Sequence, residues 1–243
     1  MKVRWQRRLK IMRVSTIAII SSLIALALFA GFTIYGNKVG NFVINVDFKE
    51  VRLSLSQYED LSHQTERLTY NGLSELLSTT YGWIPNDVSK GLGDKSISET
   101  RDDKNYSYMA FSFYLINNSD RAVDYVMDLN IIDTVGDPLP MIRVMLIEGD
   151  NDTQDDTNRI YALKESTEQD EIHLQEELAG LTPYDTEDFS EEENKVFSVT
   201  VQDLGKGESQ KYTLVIWLEG CDAQCNDSRM GSRAKMQLDI TGY

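Results

Sequence analysis

The sequence predicts a mainly β protein, an antiparallel β-sandwich or jelly roll with short helical insertions, preceded by one transmembrane helix. Several segments alternate apolar and polar residues with the period of two that is typical of half-buried strands. Asn, Asp, Gly and Pro residues separate these segments, as expected of turns. An uncharged segment near the N-terminus is long enough to cross a lipid bilayer.

The first 35 residues predict a membrane anchor. Six basic residues precede Val14–Tyr35, a run of 22 residues without a charge. A helix of this length measures about 33 Å, and a hydrocarbon core is about 30 Å thick. By the positive-inside rule, residues 1–13 form a basic cytoplasmic tail and residues 14–35 span the plasma membrane. Residues 36–243 are then the extracytoplasmic β-sandwich domain.

A cleavable signal peptide is the alternative for this segment. Signal peptides usually have an apolar region of about 7 to 15 residues and a small-x-small cleavage site. The best site here, after Ala30, has Leu28 where a small residue is required. The sequence therefore favours an uncleaved anchor, and both alternatives export the rest of the chain.

The charge of the chain excludes one class of partner. The chain has 39 acidic and 24 basic residues, and after the basic tail 18 basic residues remain, for a net charge of −21. Nucleic-acid binding needs a basic surface, so nucleic acid is not expected as a partner. An acidic domain instead favours solubility, cations or a basic protein partner.

Alternation predicts the strands in order along the exported part. In "NFVINVDFKEVRLSLS" the apolar positions Phe42, Ile44 and Val46 are followed by a change of phase, which predicts a bulge near Lys49 and Glu50. Further strands are predicted at residues 105–118, 122–133, 141–148, 195–201, 211–219 and 234–240.

Two segments interrupt these strands. Residues 60–104 are predicted to be a long insertion with short helical turns, docked on the sheet through Leu76 and Trp83. Residues 149–193 hold most of the acidic runs, and residues 166–180 within them predict one short exposed helix.

No motif in the sequence indicates catalysis or a bound metal. "DNDTQDD" at residues 150–156 is acidic, but Asp155 and Tyr161 stand where a calcium loop requires Gly and Glu. His63 and His173 have no zinc-site spacing, and there is no nucleophile elbow or phosphate loop. We therefore expect no cofactor, no metal and no enzymatic activity.

The chain has two cysteines, Cys221 and Cys225, with three residues between them. Because export removes the protein from the reducing cytosol, an intrachain disulfide between them is the simplest interpretation. Free thiols, or pairing with another chain, remain open alternatives. The closed loop is short, so such a bond would contribute at most about 2 kcal/mol. Acidic neighbours such as Asp222 are expected to raise the thiol pKa, which argues against a redox role.

The residues around the cysteines are the other candidate site. We expect Trp217 and Leu218 in a core strand, and Glu219 and Asp222 at its exposed end. Strand and turn formation explains this "WLEG" pattern most simply. Trp217, Glu219 and Asp222 are nevertheless the candidates for a contact with a partner.

Four segments and the basic, single-span start resemble a family of membrane-anchored surface proteins of Gram-positive bacteria that has no assigned activity. These segments are "IYGNKVGNFVINV", "FSFYLINNSDRAVDYVMDLNIID", "MIRVMLIEGD" and "YTLVIWLEGCDAQC". The stretch "WLEG-x-D-x-x-C", Trp217 to Cys225, is also similar to the TasA and camelysin group of biofilm-matrix fibre proteins. That resemblance is confined to a few strands, and the group's usual pattern does not contain a cysteine at Cys221.

The resemblance implies a jelly roll that acts as a structural or surface protein. The long basic start and the poor cleavage site depart from the secreted members of the group. We therefore expect a membrane-anchored structural or interaction protein of the cell surface, which acts by binding or by self-assembly. The alternative is an extracytoplasmic ligand-binding or sensory domain for a cation or a glycan. Exposed aromatic residues such as Trp83, Tyr106 or Tyr108 would favour the alternative, and an open strand edge would favour assembly.

Overall fold

Strands make up most of the computed structural model. The structure describes residues 42–47, 51–71, 73, 76–101, 104–164 and 184–243. The side chains of residues 99–106 are not described. The strands are β1 (Phe42–Asp47), β2 (Leu53–Ser56), β3 (Arg67–Tyr70), β4 (Gly93–Asp94), β5 (Ile97–Arg101), β6 (Lys104–Asn117), β7 (Val123–Val135), β8 (Ile142–Glu148), β9 (Arg159–Ala162), β10 (Glu187–Asp188), β11 (Lys195–Leu204), β12 (Ser209–Leu218) and β13 (Arg233–Gly242). Short 3-10 helices lie at Tyr81–Trp83, Leu139–Met141 and Asp227–Arg229, and the described residues contain no α-helix.

The strands form two sheets. The first has five strands in the order β11-β7-β13-β1-β3, and the second has eight, with the path β10-β9-β8-β12-β6-β2 and with β4 and β5 also paired to β6. Most neighbours are antiparallel, and the exceptions are β1 with β13 and β9 with β10. The predicted mainly β, sandwich-like fold is therefore confirmed.

Side chains from both sheets meet in one core. The rings of Phe42 on β1 and Phe111 on β6 stack with centroids 4.6 Å apart, and those of Tyr161 on β9 and Phe197 on β11 lie 4.8 Å apart. The core residues of β7 are buried at every second position, as the alternation of its sequence predicts. The two sheets thus pack against each other through the apolar faces that the alternation in the sequence predicts.

The eight-stranded sheet is buried on its outer face as well. Tyr81, Ile84 and Val88, which belong to the segment between β3 and β4, pack with Trp217 and its neighbours on the sheet in a second apolar cluster. Trp83 packs against the same cluster, so its predicted docking role is confirmed, whereas Leu76 is only half-buried. Burial on both faces is visible in β8 and β12, where nearly every position is buried. It explains the continuous apolar runs "VMLI" in β8 and "LVIWL" in β12.

Some predictions concern parts of the chain outside the described residues. These are the membrane span at residues 14–35, the bulge near Lys49 and Glu50, and the short helix at residues 166–180. In the part of the chain that the structure does describe, no helix has the length and apolar character needed to cross a bilayer.

Candidate functional site

The predicted interaction residues lie where β12 ends. Trp217 is fully buried, and its ring lies 6.5 Å from that of Tyr81 and 6.2 Å from that of Tyr184, measured between centroids. Leu218 is half-buried and packs against the main core. The prediction that these two residues belong to a core strand is therefore confirmed.

The expectation that Glu219 and Asp222 are exposed is wrong. Their relative exposures are 0% and 5%. The chain turns inward after β12, because the segment before Tyr81 covers the end of the strand and pairs with it through a bridge between Thr79 and Glu219. Glu219 and Asp222 are thus buried carboxylates, and a buried charge requires compensating donors.

Glu219 receives a hydrogen bond from each of three donors. The Tyr184 hydroxyl and the Trp217 Nε1–H both donate to Oε2, at 2.7 and 3.0 Å. The backbone N–H of Cys221 donates to Oε1 at 3.0 Å. These bonds join β12, the turn after it and the segment at residue 184 around one carboxylate.

Asp222 forms an ion pair with Arg143 of β8. Nη2 of the guanidinium donates to Oδ2 at 2.7 Å, and Nη1 donates to the carbonyl oxygens of Pro140 and Ile142. Burial by itself would lower the pKa of Arg143, but Tyr184, Asp222 and Glu219 raise it overall. The guanidinium therefore stays charged and holds the turn after β12 against β8.

Backbone hydrogen bonds also hold the turn after β12 against the segment at Thr79. The N–H of Thr79 donates to the carbonyl of Leu218 at 2.9 Å, and the N–H of Gly220 donates to the carbonyl of Thr79. A β-carbon at Gly220 would lie 3.2 Å from that Thr79 oxygen, which is a tight contact. Glycine at this position therefore allows the two segments to approach.

The two cysteines lie on this turn and are half-buried thiols in the structure. The sulfur of Cys221 lies 3.7 Å from Oγ1 of Thr80, and the backbone N–H of Cys225 donates to the carbonyl of Asp222 at 2.9 Å. Burial raises the pKa of the Cys225 thiol, with further contributions from Asp222 and Glu219 and opposition from Arg143. The expected direction of the pKa shift is confirmed, and the disulfide stays a prediction.

This group of side chains, which we call the polar cluster, consists of Arg143, Tyr184, Trp217, Glu219 and Asp222. Its charged groups bond to other members of the cluster or to backbone atoms and have almost no contact with solvent. We infer that the cluster positions the turn after β12. Among the described residues, no group of three or more His, Cys, Asp or Glu side chains has an arrangement that could hold a metal ion.

The aromatic residues proposed for a ligand surface are largely inside the domain. Tyr108 is 3% exposed, and Trp83 is half-buried against the outer cluster. The side chain of Tyr106 lies outside the description. Of the three proposed residues, Trp83 and Tyr108 therefore do not form an exposed stacking surface.

One strand edge differs from the others in length. β11 has ten residues and, among the described residues, pairs only with β7. The other edges are formed by short strands of two to five residues, namely β2, β3, β4, β5 and β10. Short edge strands limit pairing with other chains, whereas a long edge exposes a row of backbone donors and acceptors.

The composition of β11 is also typical of a strand that accepts another. The seven residues from Val196 to Gln202 carry no charge. Ser198 and Thr200 are exposed and alternate with the buried Phe197 and Val199 and the half-buried Val201. Its pairing with β7 is interrupted near Lys195 and near Val201, and the residues between pair regularly. The regular part, from Phe197 to Val201, is an uncharged edge without the charges that usually protect one.

Sequence reasoning missed two members of the polar cluster, Arg143 and Tyr184. Arg143 could have been suspected, because a charged residue inside the apolar run "MIRVMLI" needs a buried partner. Tyr184 has no such signal, because it lies between acidic segments without a strand pattern.

No protein-family model, curated protein or solved structure matches the chain. Its function is therefore inferred from the polar cluster and the β11 edge.

Proposed function

We propose that the protein is a membrane-anchored structural or interaction protein of the bacterial cell surface, which acts by assembly or binding and not by catalysis. Residues 14–35 would hold it in the plasma membrane, and residues 36–243 would form an extracytoplasmic sandwich of the jelly-roll type. The observation that carries this proposal is the long, uncharged edge of β11.

The β11 edge suits the addition of a strand from another chain. In strand addition, backbone hydrogen bonds supply affinity, and the alternate side chains supply specificity. The carbonyl of Val196 already accepts a hydrogen bond from the N–H of Ser190 at 2.9 Å. The exposed Ser198 and Thr200 are small, so an added strand can approach the backbone between Phe197 and Gln202. A second copy of this chain is the occupant that we propose. The resemblance to the TasA and camelysin group is consistent with this role.

A ligand-binding or sensory domain is supported less well. That alternative relied on exposed aromatic residues, and Tyr108 and Trp83 are packed against the sheet. We therefore do not propose a glycan as the ligand, and a cation remains the alternative.

The assembly proposal is tested with charges on the edge. In the full chain, Ser198→Lys with Thr200→Lys places two ammonium groups on β11. Thr69→Lys is the matched control, because Thr69 is exposed on β3, the short strand at the opposite edge of the same sheet. Self-association is measured by sedimentation velocity in a mild detergent and by cross-linking on intact cells.

We expect the β11 variant to remain monomeric where the wild type and Thr69→Lys form larger species. Equal association of all three proteins would mean that β11 is not the contact. A wild type that is monomeric in both measurements would contradict self-assembly itself. Circular dichroism spectra establish that each variant keeps its fold.

The anchor is tested by topology and processing. Protease added to intact spheroplasts should degrade residues after Gly36, and the mature N-terminus should be at or near Met1. Protection of these residues would reverse the proposed orientation. A mature chain that begins at Gly31 would show that the segment is a cleaved signal peptide.

A further inference from the structure

The part of β11 that can accept another strand is bounded at both ends. At its start, the carbonyl of Val196 accepts the hydrogen bond from the N–H of Ser190. At its other end, the pairing of β11 with β7 becomes irregular after Val201. Between these limits lie residues 197–201, which carry no charge and have Val199 at their centre. We call residues 197–201 the edge segment.

A second copy of the chain has few edges that could pair with the edge segment. Among the described residues, the other edge strands have two to five residues, and β3, β4, β5 and β10 each contain a charged residue. β2 is uncharged, but Leu55 at its open side already pairs with Thr65 in a bridge. The edge of a second copy that matches the edge segment in length and in lack of charge is therefore β11 itself.

The edge segment is complementary to itself when two copies pair antiparallel about Val199. Ser198 of each copy then lies opposite Thr200 of the other, and Phe197 lies opposite Val201. Cross-strand pairs of hydroxyl or of apolar side chains stabilise a sheet. A centre at residue 198 or 200 would pair only residues 197–199 or 199–201. A centre between two residues would place an exposed side chain opposite a buried one.

The charges beside the edge segment favour the antiparallel orientation. Residues 191–193 are three exposed glutamates before β11, and Lys206 is exposed in the turn after it. Glu192 and Lys206 are each seven positions from Val199, so antiparallel pairing brings the acidic turn of one copy towards Lys206 of the other. Lys195 already forms an ion pair with Glu192, so the other two glutamates are the expected partners of Lys206. Parallel pairing would bring the two acidic turns together, which is unfavourable.

We propose that the protein forms a closed two-fold dimer in which β11 pairs antiparallel with β11 of a second copy, centred on Val199. This inference rests on the proposed assembly through β11 and adds the partner strand, its orientation and its register. The two five-stranded sheets would then form one continuous sheet. Because the pairing uses the β11 edge of both copies, the contact is isologous and association ends at two chains.

Cysteine cross-linking in the full chain tests the register. Ser198→Cys and Thr200→Cys are made separately, on chains with tags of different size and in a Cys221→Ser, Cys225→Ser background. Residues directly opposite in an antiparallel pair have β-carbons about 4.5–5.5 Å apart, close to the distance that a disulfide bridges, whereas diagonal neighbours are about 7–8 Å apart. Residue 198 of one copy should therefore reach residue 200 of the other, and not its own counterpart.

We expect mild oxidation to cross-link the mixture of the two variants several-fold more than either variant alone. Cross-linking of Ser198→Cys alone, or of Thr200→Cys alone, would place the centre at that residue and overturn the register. Thr69→Cys on β3 is the matched control, since Thr69 is also an exposed threonine at an edge of the five-stranded sheet. A cross-link between Ser198→Cys and Thr69→Cys would show head-to-tail pairing and overturn the two-fold dimer.

Charge reversal tests the orientation by sedimentation velocity. Lys206→Glu should weaken dimer formation several-fold, and addition of Glu191→Lys with Glu193→Lys should restore it. Lys90→Glu is the control and should have no effect, because Lys90 is exposed in the segment that packs on the other sheet. Failure of the restoring changes would contradict the antiparallel orientation.

The outcomes separate this inference from the proposed assembly. Species larger than a dimer, or no cross-link in the mixture of variants that still associate, would overturn the two-fold dimer and leave assembly through β11 in place. If Ser198→Lys with Thr200→Lys associates as strongly as the wild type, assembly through β11 is itself contradicted. A dimer as the largest species, together with the cross-link between positions 198 and 200, would support both.

Discussion

Arg143 and Asp222 form an ion pair of 2.7 Å in which the side chains are 0% and 4% exposed. They are 79 positions apart in the sequence and join the middle of the sheet to the turn after β12. The attraction within a pair this deeply buried is largely offset by the desolvation of both charges, so the pair adds little to the stability of the fold. Removal of one partner, however, leaves a buried charge without compensation. The pair therefore gives the turn a defined position more than it adds to stability.

Replacement of one partner should be costly. We expect Asp222→Ala to lower the free energy of unfolding by about 3–5 kcal/mol, because Arg143 then remains buried and charged. The control is Asp152→Ala, which removes an exposed pair with Lys90 at 3.5 Å. That change should cost less than about 1 kcal/mol. Urea unfolding measures both values.

A double replacement tests the reason for this loss. Arg143→Met with Asp222→Leu removes both charges and should recover most of the stability lost in Asp222→Ala. If the double variant is as unstable as the single variant, the buried charge is not the cause.

The Tyr125–Tyr212 pair predicts loss of stability in alkali. The two buried hydroxyls are hydrogen-bonded across the core. Burial raises the pKa of Tyr125 to about 12 and also raises the pKa of Tyr212. Above a pH of about 10 the unfolded chain releases these protons and the folded chain keeps them, so stability falls as the pH rises. At a pH of about 11, the raised pKa of Tyr125 alone should lower the free energy of unfolding by roughly 1 kcal/mol.

The measurement is the free energy of unfolding between neutral pH and this alkaline range. The variant Tyr125→Phe with Tyr212→Phe should show a smaller decrease than the wild type. Parallel curves for the two proteins would show that other groups cause the alkaline effect.

The cysteines are expected to form a local staple. Non-reducing mass analysis of protein isolated without reductant should find one intrachain bond and no free thiol. Cys221→Ser with Cys225→Ser should lower the free energy of unfolding by no more than about 2 kcal/mol, since the closed loop is short. The raised pKa of the Cys225 thiol also predicts slow alkylation of the reduced protein. Rapid reaction with iodoacetamide near neutral pH, in protein isolated without reductant, would contradict the staple.

Gly242, the last residue of β13, is predicted to be intolerant of a side chain. An added β-carbon would overlap Cγ2 of Val51 and would lie 2.8 Å from Cδ1 of Leu53. Gly242→Ala should therefore destabilise the domain by about 1–3 kcal/mol through overpacking. Addition of Val51→Ala removes the closer contact, so Gly242→Ala should cost less in that background than in the wild type. Thermal unfolding of the four proteins tests this.

The strands were predictable because their signal is local. Alternation of Val123, Tyr125, Met127 and Leu129 follows from the geometry of an extended chain with one buried face, and β7 has these residues buried. β3 and β9 were not predicted, because each has only four residues, too few for a reliable pattern. β5 lies within a segment that the sequence indicated as an insertion, although it pairs with β6.

The sequence by itself determined the alternating strands and the acidic character of residues 36–243, and it predicted the membrane span. Only the tertiary structure decided the burial of Glu219 and Asp222, which local sequence indicated as exposed. Their burial depends on Thr79 and Arg143, which reach the turn from distant parts of the chain. The tertiary structure likewise decided that β11 is an edge strand among the residues that it describes. Burial and strand order arise from long-range pairing, whereas the period of an apolar pattern reflects only the local geometry of the backbone.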